Sequence, residues 1–173
     1  MDRCDQCGFV YRDLPQADIA GALRAVARQY RSRLGGGDDV LRRRPAPAVW
    51  APLEYAAHVR DVLSVQRERA ALALRVREPT IESMRPDERA VELGYAQLDP
   101  GRVAEQIDRA AEALAALFDS LGDSEWGRTA IYNWPQPARR DLTWLGRHTV
   151  HELIHHLFDI ARGVEPTPAA ASG

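Results

Sequence analysis

Apolar residues along this chain recur at the spacing of helices, and alternation of strand type is nearly absent. Ile19, Leu23, Val26, Tyr30 and Leu34 mark a first helix within 14–34, with Asp13 before Pro15 as its expected cap. Gly35-Gly36-Gly37-Asp38-Asp39 ends it. After a proline-containing stretch from Arg42, Leu53, Ala56, Val59, Val62, Leu63 and Ala70 predict a second helix over 52–76, and Pro52 suits its first turn. Val103, Ile107, Ala110, Ala111, Leu114, Leu117 and Phe118 predict a third over 101–121. Leu142, Val150, Leu153, Leu157 and Ile160 predict a fourth running to about 162, capped by Asp141 or Thr143. Residues 77–99 and 122–140 read as long irregular joints, and 163–173 as a disordered tail.

Four amphipathic helices without a sheet imply an all-α bundle. The two long joints argue against simple up-down-up-down order. The chain divides into an N-terminal extension (1–13), the bundle (14–162) and the tail (163–173).

Hydrophobic residues make up 45% of the 173 positions and charged residues 28%, which suits one folded, water-soluble unit with a sizeable core. The 23 basic and 25 acidic residues are interspersed, giving a formal charge of -2 and no basic stripe for nucleic acid. No apolar run is long enough to span a membrane, and Met1-Asp2-Arg3-Cys4 opens no signal peptide, so a cytoplasmic location is expected. There Cys4 and Cys7 are free thiols, redox partners or metal ligands rather than a structural disulfide.

The chemistry concentrates in histidine. Of five histidines, His148, His151, His155 and His156 fall on the fourth helix, and His58 stands alone on the second. At 100° per residue His148, Glu152, His156 and Asp159 form one stripe beside the apolar face, whereas His155 points nearly away from it. Two ligand sets compete. His151-Glu152-Leu153-Ile154-His155 matches the H-E-x-x-H pattern of zinc hydrolases, but no third ligand of that type follows. A bundle-core site would instead use Glu152 and His156, expected to be the best-buried polar residues, with His58 from the second helix. The competing plain reading is a polar helix face of hydrogen-bonded histidines.

Trp50-Ala51-Pro52-Leu53-Glu54-Tyr55-Ala56-Ala57-His58-Val59-Arg60-Asp61 and His148-Thr149-Val150-His151-Glu152-Leu153-Ile154-His155-His156-Leu157-Phe158-Asp159-Ile160 resemble the DinB/YfiT-like superfamily of metal-binding four-helix proteins, in its actinobacterial branch near the mycothiol-dependent transferases and maleylpyruvate isomerase. The resemblance covers about 14–162. It implies a long crossover between the second and third helices and metal ligands at His58, Glu152 and His156, with His151 and His155 as the alternative register. It also implies a divalent ion, Zn2+ first and Ni2+, Fe2+ or Mn2+ as alternatives, with an open position for water or thiolate. The activity expected from it is metal-dependent transfer of a low-molecular-weight thiol to an electrophile. A non-catalytic metal-binding sensor or interaction protein is the alternative.

Cys4-Asp5-Gln6-Cys7-Gly8-Phe9 resembles half of a zinc knuckle. Cys4 and Cys7 either share a second, structural metal with His151 and His155, or remain exposed thiols or a reversible redox pair. Asp61 is a candidate orienting group for His58. Arg128, Arg139 and Arg140 are candidates for binding a substrate carboxylate beside Trp126, Tyr132, Trp134 and Trp144. The alanines of the third helix, including Ala110, Ala113 and Ala115, would allow a homodimer.

Overall fold

The structure, a computed structural model, describes residues 3–133 and 136–164. Its four long helices are α1 (Ile19–Arg33), α3 (Pro52–Arg75), α5 (Pro100–Asp119) and α7 (Leu142–Val164). The short helices α2 (Asp38–Leu41), α4 (Pro86–Glu92) and α6 (Asp123–Trp126) lie in the connections. α1 and α3 each pack against both α5 and α7, so α1 stands diagonal to α3 and α5 diagonal to α7. That order gives an all-α bundle with long crossovers, and 76–99 forms the one between α3 and α5. No described helix is long and apolar enough to cross a membrane.

The apolar stripes read from the sequence meet in the core. Ile19, Leu23, Val26, Tyr30 and Leu34 are all buried, as are Val103, Ile107, Ala111, Leu114 and Phe118 opposite them. Each large side chain of this kind contributes roughly 1.5–3 kcal/mol on burial. Tyr30 is fully buried and its hydroxyl donates to the Leu153 carbonyl at 2.7 Å, which removes the penalty of an unpaired polar group.

The helix starts differ in detail from expectation. Two 3-10 turns, Tyr11–Asp13 and Gln16–Asp18, precede α1, so Asp13 lies inside a turn and does not cap the helix. α3 does begin at Pro52, and the Glu54 carboxylate returns to accept from the Ala51 N–H at 2.8 Å. Asp141 caps α7 by accepting from the Trp144 N–H at 2.7 Å, whereas the Thr143 hydroxyl donates to Gln16. α7 continues through Gly163 and Val164, and the rest of the expected tail lies outside the described residues.

Both joints carry short regular elements among their described residues, helical turns and also strands that the sequence did not predict. β1 (Thr80–Ile81), β2 (Thr129–Tyr132) and β3 (Ala138–Asp141) form a sheet in the order β1-β2-β3. β1 runs parallel to β2 with Thr80 opposite Ile131, and β2 runs antiparallel to β3 with Ala130 opposite Arg140. Strands this short carry little periodic signal, and the β1–β2 pairing joins segments about fifty residues apart. Only β2 shows alternation, with Ala130 and Tyr132 buried.

Candidate metal centre

Helical geometry on α7 sends its polar residues to two neighbouring faces, and each face meets a different partner. On the face toward α3, His58, Glu152 and His156 each offer a ligand atom, and these atoms lie within 4.8 Å of one another. The His58 and His156 rings meet edge to face at 4.9 Å between centroids. Trp50 packs beside His58, and Tyr55 stacks on His156.

His58 is buried, and its Nδ1 has no hydrogen-bond partner among the described residues. An unpaired buried nitrogen costs about 1–3 kcal/mol, which marks His58 as a residue that the hydrogen bonds of the described residues alone do not satisfy. The donor set, two imidazoles and a carboxylate, fits a divalent ion of the zinc type. Asp159 approaches His156 Nδ1 at 2.9 Å and leaves Nε2 toward Glu152 at 3.6 Å, the outer hydrogen bond that ligating histidines usually carry.

Without a metal the three groups differ in charge: His58 is neutral and Glu152 anionic, whereas His156 holds a proton at neutral pH that a bound cation would displace. Burial, helped by the neighbouring His156, pushes the His58 pKa down to about 4, so its imidazole is neutral. Burial opposes ionisation of Glu152, but contacts with His151 and His156 outweigh it and hold the carboxyl well below its ordinary range. His156 is likewise penalised by burial, yet Asp159 and Glu152 raise its pKa to about 9.

On the other face of α7, Cys4, Cys7, His151 and His155 bring their ligand atoms within 4.8 Å of one another. The N-terminal segment produces this by folding over the helix. Phe9 and Tyr11 lie against His151, and the Tyr11 hydroxyl sits 3.0 Å from His148 Nδ1 and 3.1 Å from His151 Nδ1. His151 is therefore buried, at 11% side-chain exposure against 13% for His156 and 22% for Glu152. The expectation that Glu152 and His156 are the best-buried polar residues of the cluster is corrected accordingly. Burial works against the Cys4 thiolate, but the Cys7 backbone and the neighbouring His151 ring lower its pKa to about 6; burial raises that of Cys7.

A cleft of about 620 Å³ opens onto His58 and Glu152, a volume suited to a small organic ligand. Gln66 and Arg69 form its α3 wall, Tyr132 and Arg140 its sheet wall, and Trp144 and His148 its α7 wall. Arg140 lies 4.8 Å above the Trp144 ring, which itself stacks on His148. Nothing in the sequence alone singles out Gln66 and Arg69, although they stand at i+8 and i+11 from His58 and share its helix face.

Other expected residues are used elsewhere. Asp61 is buried, but it binds Arg60, Arg89 and Tyr95 rather than His58. Arg128 donates to the carbonyls of Ala73 and Val76, and Arg139 pairs with Glu78 at 2.6 Å. Trp126 stacks on Phe118 in the core, and Trp134 lies outside the described residues.

The sequence model of the DinB superfamily matches residues 21–160. The structure of YfiT from Bacillus subtilis, described as a probable metal-dependent hydrolase with an unusual four-helix bundle topology, superposes with a TM-score of 0.75 at 17% identity, covering 85% of this chain and 86% of that one. A mycothiol-dependent maleylpyruvate isomerase superposes with a TM-score of 0.67 at 14% identity, covering 86% of this chain but only 62% of the isomerase. A histidine-to-alanine variant of that isomerase gives the same TM-score at 15% identity. No curated protein sequence matches the chain.

Proposed function

Because the chain belongs to the DinB superfamily, we propose that it is a metal-dependent enzyme whose His58, Glu152 and His156 hold a divalent ion, Zn2+ by choice of donors, and whose cleft brings a low-molecular-weight thiol such as mycothiol to an electrophile. The observation that carries this reading is the convergence of His58, Glu152 and His156, with ligand atoms within 4.8 Å of one another, where a 620 Å³ cleft meets His58 and Glu152.

A divalent ion held by His58, Glu152 and His156 would supply Lewis acidity, lowering the pKa of a bound thiol or water toward neutrality. The chain's own residues supply the rest. Arg69 and Arg140 put two cations into the cleft wall, where a substrate carboxylate can be bound. Tyr132 and Trp144 pack edge to face at 5.1 Å and line the cleft with apolar ring surface that excludes water from the bound molecule. Asp159 orients the His156 imidazole through Nδ1. The isomerase of the same fold is mycothiol-dependent by description, which supports the choice of thiol.

The test combines metal analysis with turnover. H58A, E152Q and H156A should each bind less zinc than the wild type and lose thiol consumption with a carbon electrophile, assayed with mycothiol, glutathione and cysteine in parallel. Zinc content unchanged by all three substitutions, or equal turnover after metal removal, would overturn the proposal. Metal loss at His58 with no turnover for any thiol would instead favour a sensor or interaction role.

A further inference from the structure

The N-terminal segment performs no task in the reaction proposed above, yet it is built with more care than a loose extension needs. The Cys4 N–H donates to the Phe9 carbonyl at 2.8 Å, the Gly8 N–H donates to the Cys4 carbonyl at 2.9 Å, and Arg3 bridges Val10 in antiparallel register. Gly8 has φ +76°, and a Cβ placed there would meet nothing within 4 Å, so glycine is needed for its backbone conformation rather than for space. The result is a tight turn that presents both thiols to α7.

The two imidazoles opposite them are arranged alike. His155 places Nδ1 3.6 Å from Cys4 Sγ and turns Nε2 to Asp159 at 3.5 Å. His151 gives Nδ1 to Tyr11 and to Glu152 at 3.4 Å, while its Nε2 is buried without a hydrogen-bond partner among the described residues. In each ring one nitrogen faces an orienting oxygen and the other is left for a ligand, the pattern of metal-bound histidine. Tetrahedral zinc with Zn–S of about 2.3 Å and Zn–N of about 2.0–2.1 Å requires sulfur and nitrogen ligands about 3.6 Å apart. The Cys4–His155 spacing has that value. A redox pair of cysteines alone would leave the buried His151 nitrogen unexplained.

We infer that Cys4, Cys7, His151 and His155 form a second, structural Zn2+ site, distinct from the one at His58, that fastens the N-terminal segment across α7. Its four protein ligands close the coordination shell, so its role is to hold rather than to react. What it holds is Tyr11, whose ring lines the cleft and whose hydroxyl meets His148. The site therefore fixes one wall of the substrate cleft from outside the bundle.

Full-length protein, reduced and loaded with Zn2+ or Co2+, tests this directly. Zinc should reach about two equivalents per chain and fall to about one in C4S/C7S and in H155A. The Co2+ form should show thiolate-to-cobalt charge-transfer absorption in the near ultraviolet that survives H58A and vanishes in C4S/C7S. Far-UV circular dichroism of each variant checks that the bundle is intact. Absence of the thiolate band in the reduced wild type overturns the inference whatever the variants do, and so does equal zinc content in wild type and a folded C4S/C7S. Because H58A empties only the other centre, failure here leaves the reading of the His58 site untouched.

Discussion

Asp61 lies one turn after His58 and ties three elements together. Its Oδ1 accepts from Arg60 Nε at 2.7 Å, and its Oδ2 accepts from Arg89 Nε at 2.7 Å and from the Tyr95 hydroxyl at 2.6 Å. The donors come from α3, α4 and the 3-10 turn Tyr95–Gln97, so this one carboxylate pins the crossover to the helix that carries His58. Replacing it with alanine leaves the Tyr95 hydroxyl unpaired in a fully buried residue, a cost of about 1–3 kcal/mol. Breaking a buried charge pair costs about 3–5 kcal/mol in full. Arg89, however, is 37% exposed and regains water, so its share falls toward the ~1 kcal/mol or less of a surface pair. Asp61→Ala should therefore destabilise the fold by about 3 kcal/mol, and Asp61→Asn, which keeps an acceptor for Tyr95, by about 1–2 kcal/mol. Urea denaturation followed by circular dichroism at neutral pH measures both. Tyr95→Phe completes the cycle: it should be costly in the wild type and nearly free in the Asp61→Ala background. Equal cost in both backgrounds, or an alanine variant within about 0.5 kcal/mol of wild type, would refute the assignment.

Three further outcomes follow from the same geometry. Glu54 is ion-paired with Arg44 and bonded to the Ala51 N–H; burial opposes its ionisation, but these partners lower its pKa below the ordinary 4.5. Its stabilising contribution is thus complete above that value and is lost as pH falls through the depressed folded value; Glu54→Gln should narrow the stability difference between pH 7 and acid, and an unchanged pH profile would count against the pair. At Gly146 a Cβ would stand 2.8 Å from Ile19 Cγ2 and 3.4 Å from Phe118 Cζ. The clash of about 1–3 kcal/mol should outweigh the roughly 1 kcal/mol gain in helix propensity, so Gly146→Ala should lower the denaturation midpoint. Zn2+ at about 100-fold above its Kd for the His58 site should add about 2.7 kcal/mol, a rise in Tm of roughly 5–11 °C that EDTA reverses and H58A reduces.

Helix faces were legible because they repeat. Ile19 to Leu34 and Val103 to Phe118 each carry the spacing that buries them, and Glu152 and His156 follow from the same count relative to Leu153 and Ile160. His58 stood out as an imidazole on an apolar surface. The burial of His151 was not legible, because what covers it, Phe9 and Tyr11, lies about 140 residues away in sequence. The sheet escaped for a related reason. Ala138-Arg139-Arg140-Asp141 has no apolar alternation of its own and is a strand only because Thr129–Tyr132 is beside it. Arg69 belongs to the cleft through its helical offset from His58, a polar pattern that resembles any solvated face until the opposing wall is known.

Pairing β1 with β2 stitches the loop after α3 to the hairpin before α7, so the two connections that wall the cleft behave as one piece. Insertions or deletions in either should then be matched by changes in the other, while the helices beneath stay constant in length. Correlated loop lengths across the superfamily would be the trace of that stitch, and would make paired loop exchange, rather than single-loop grafting, the natural way to alter what the cleft accepts.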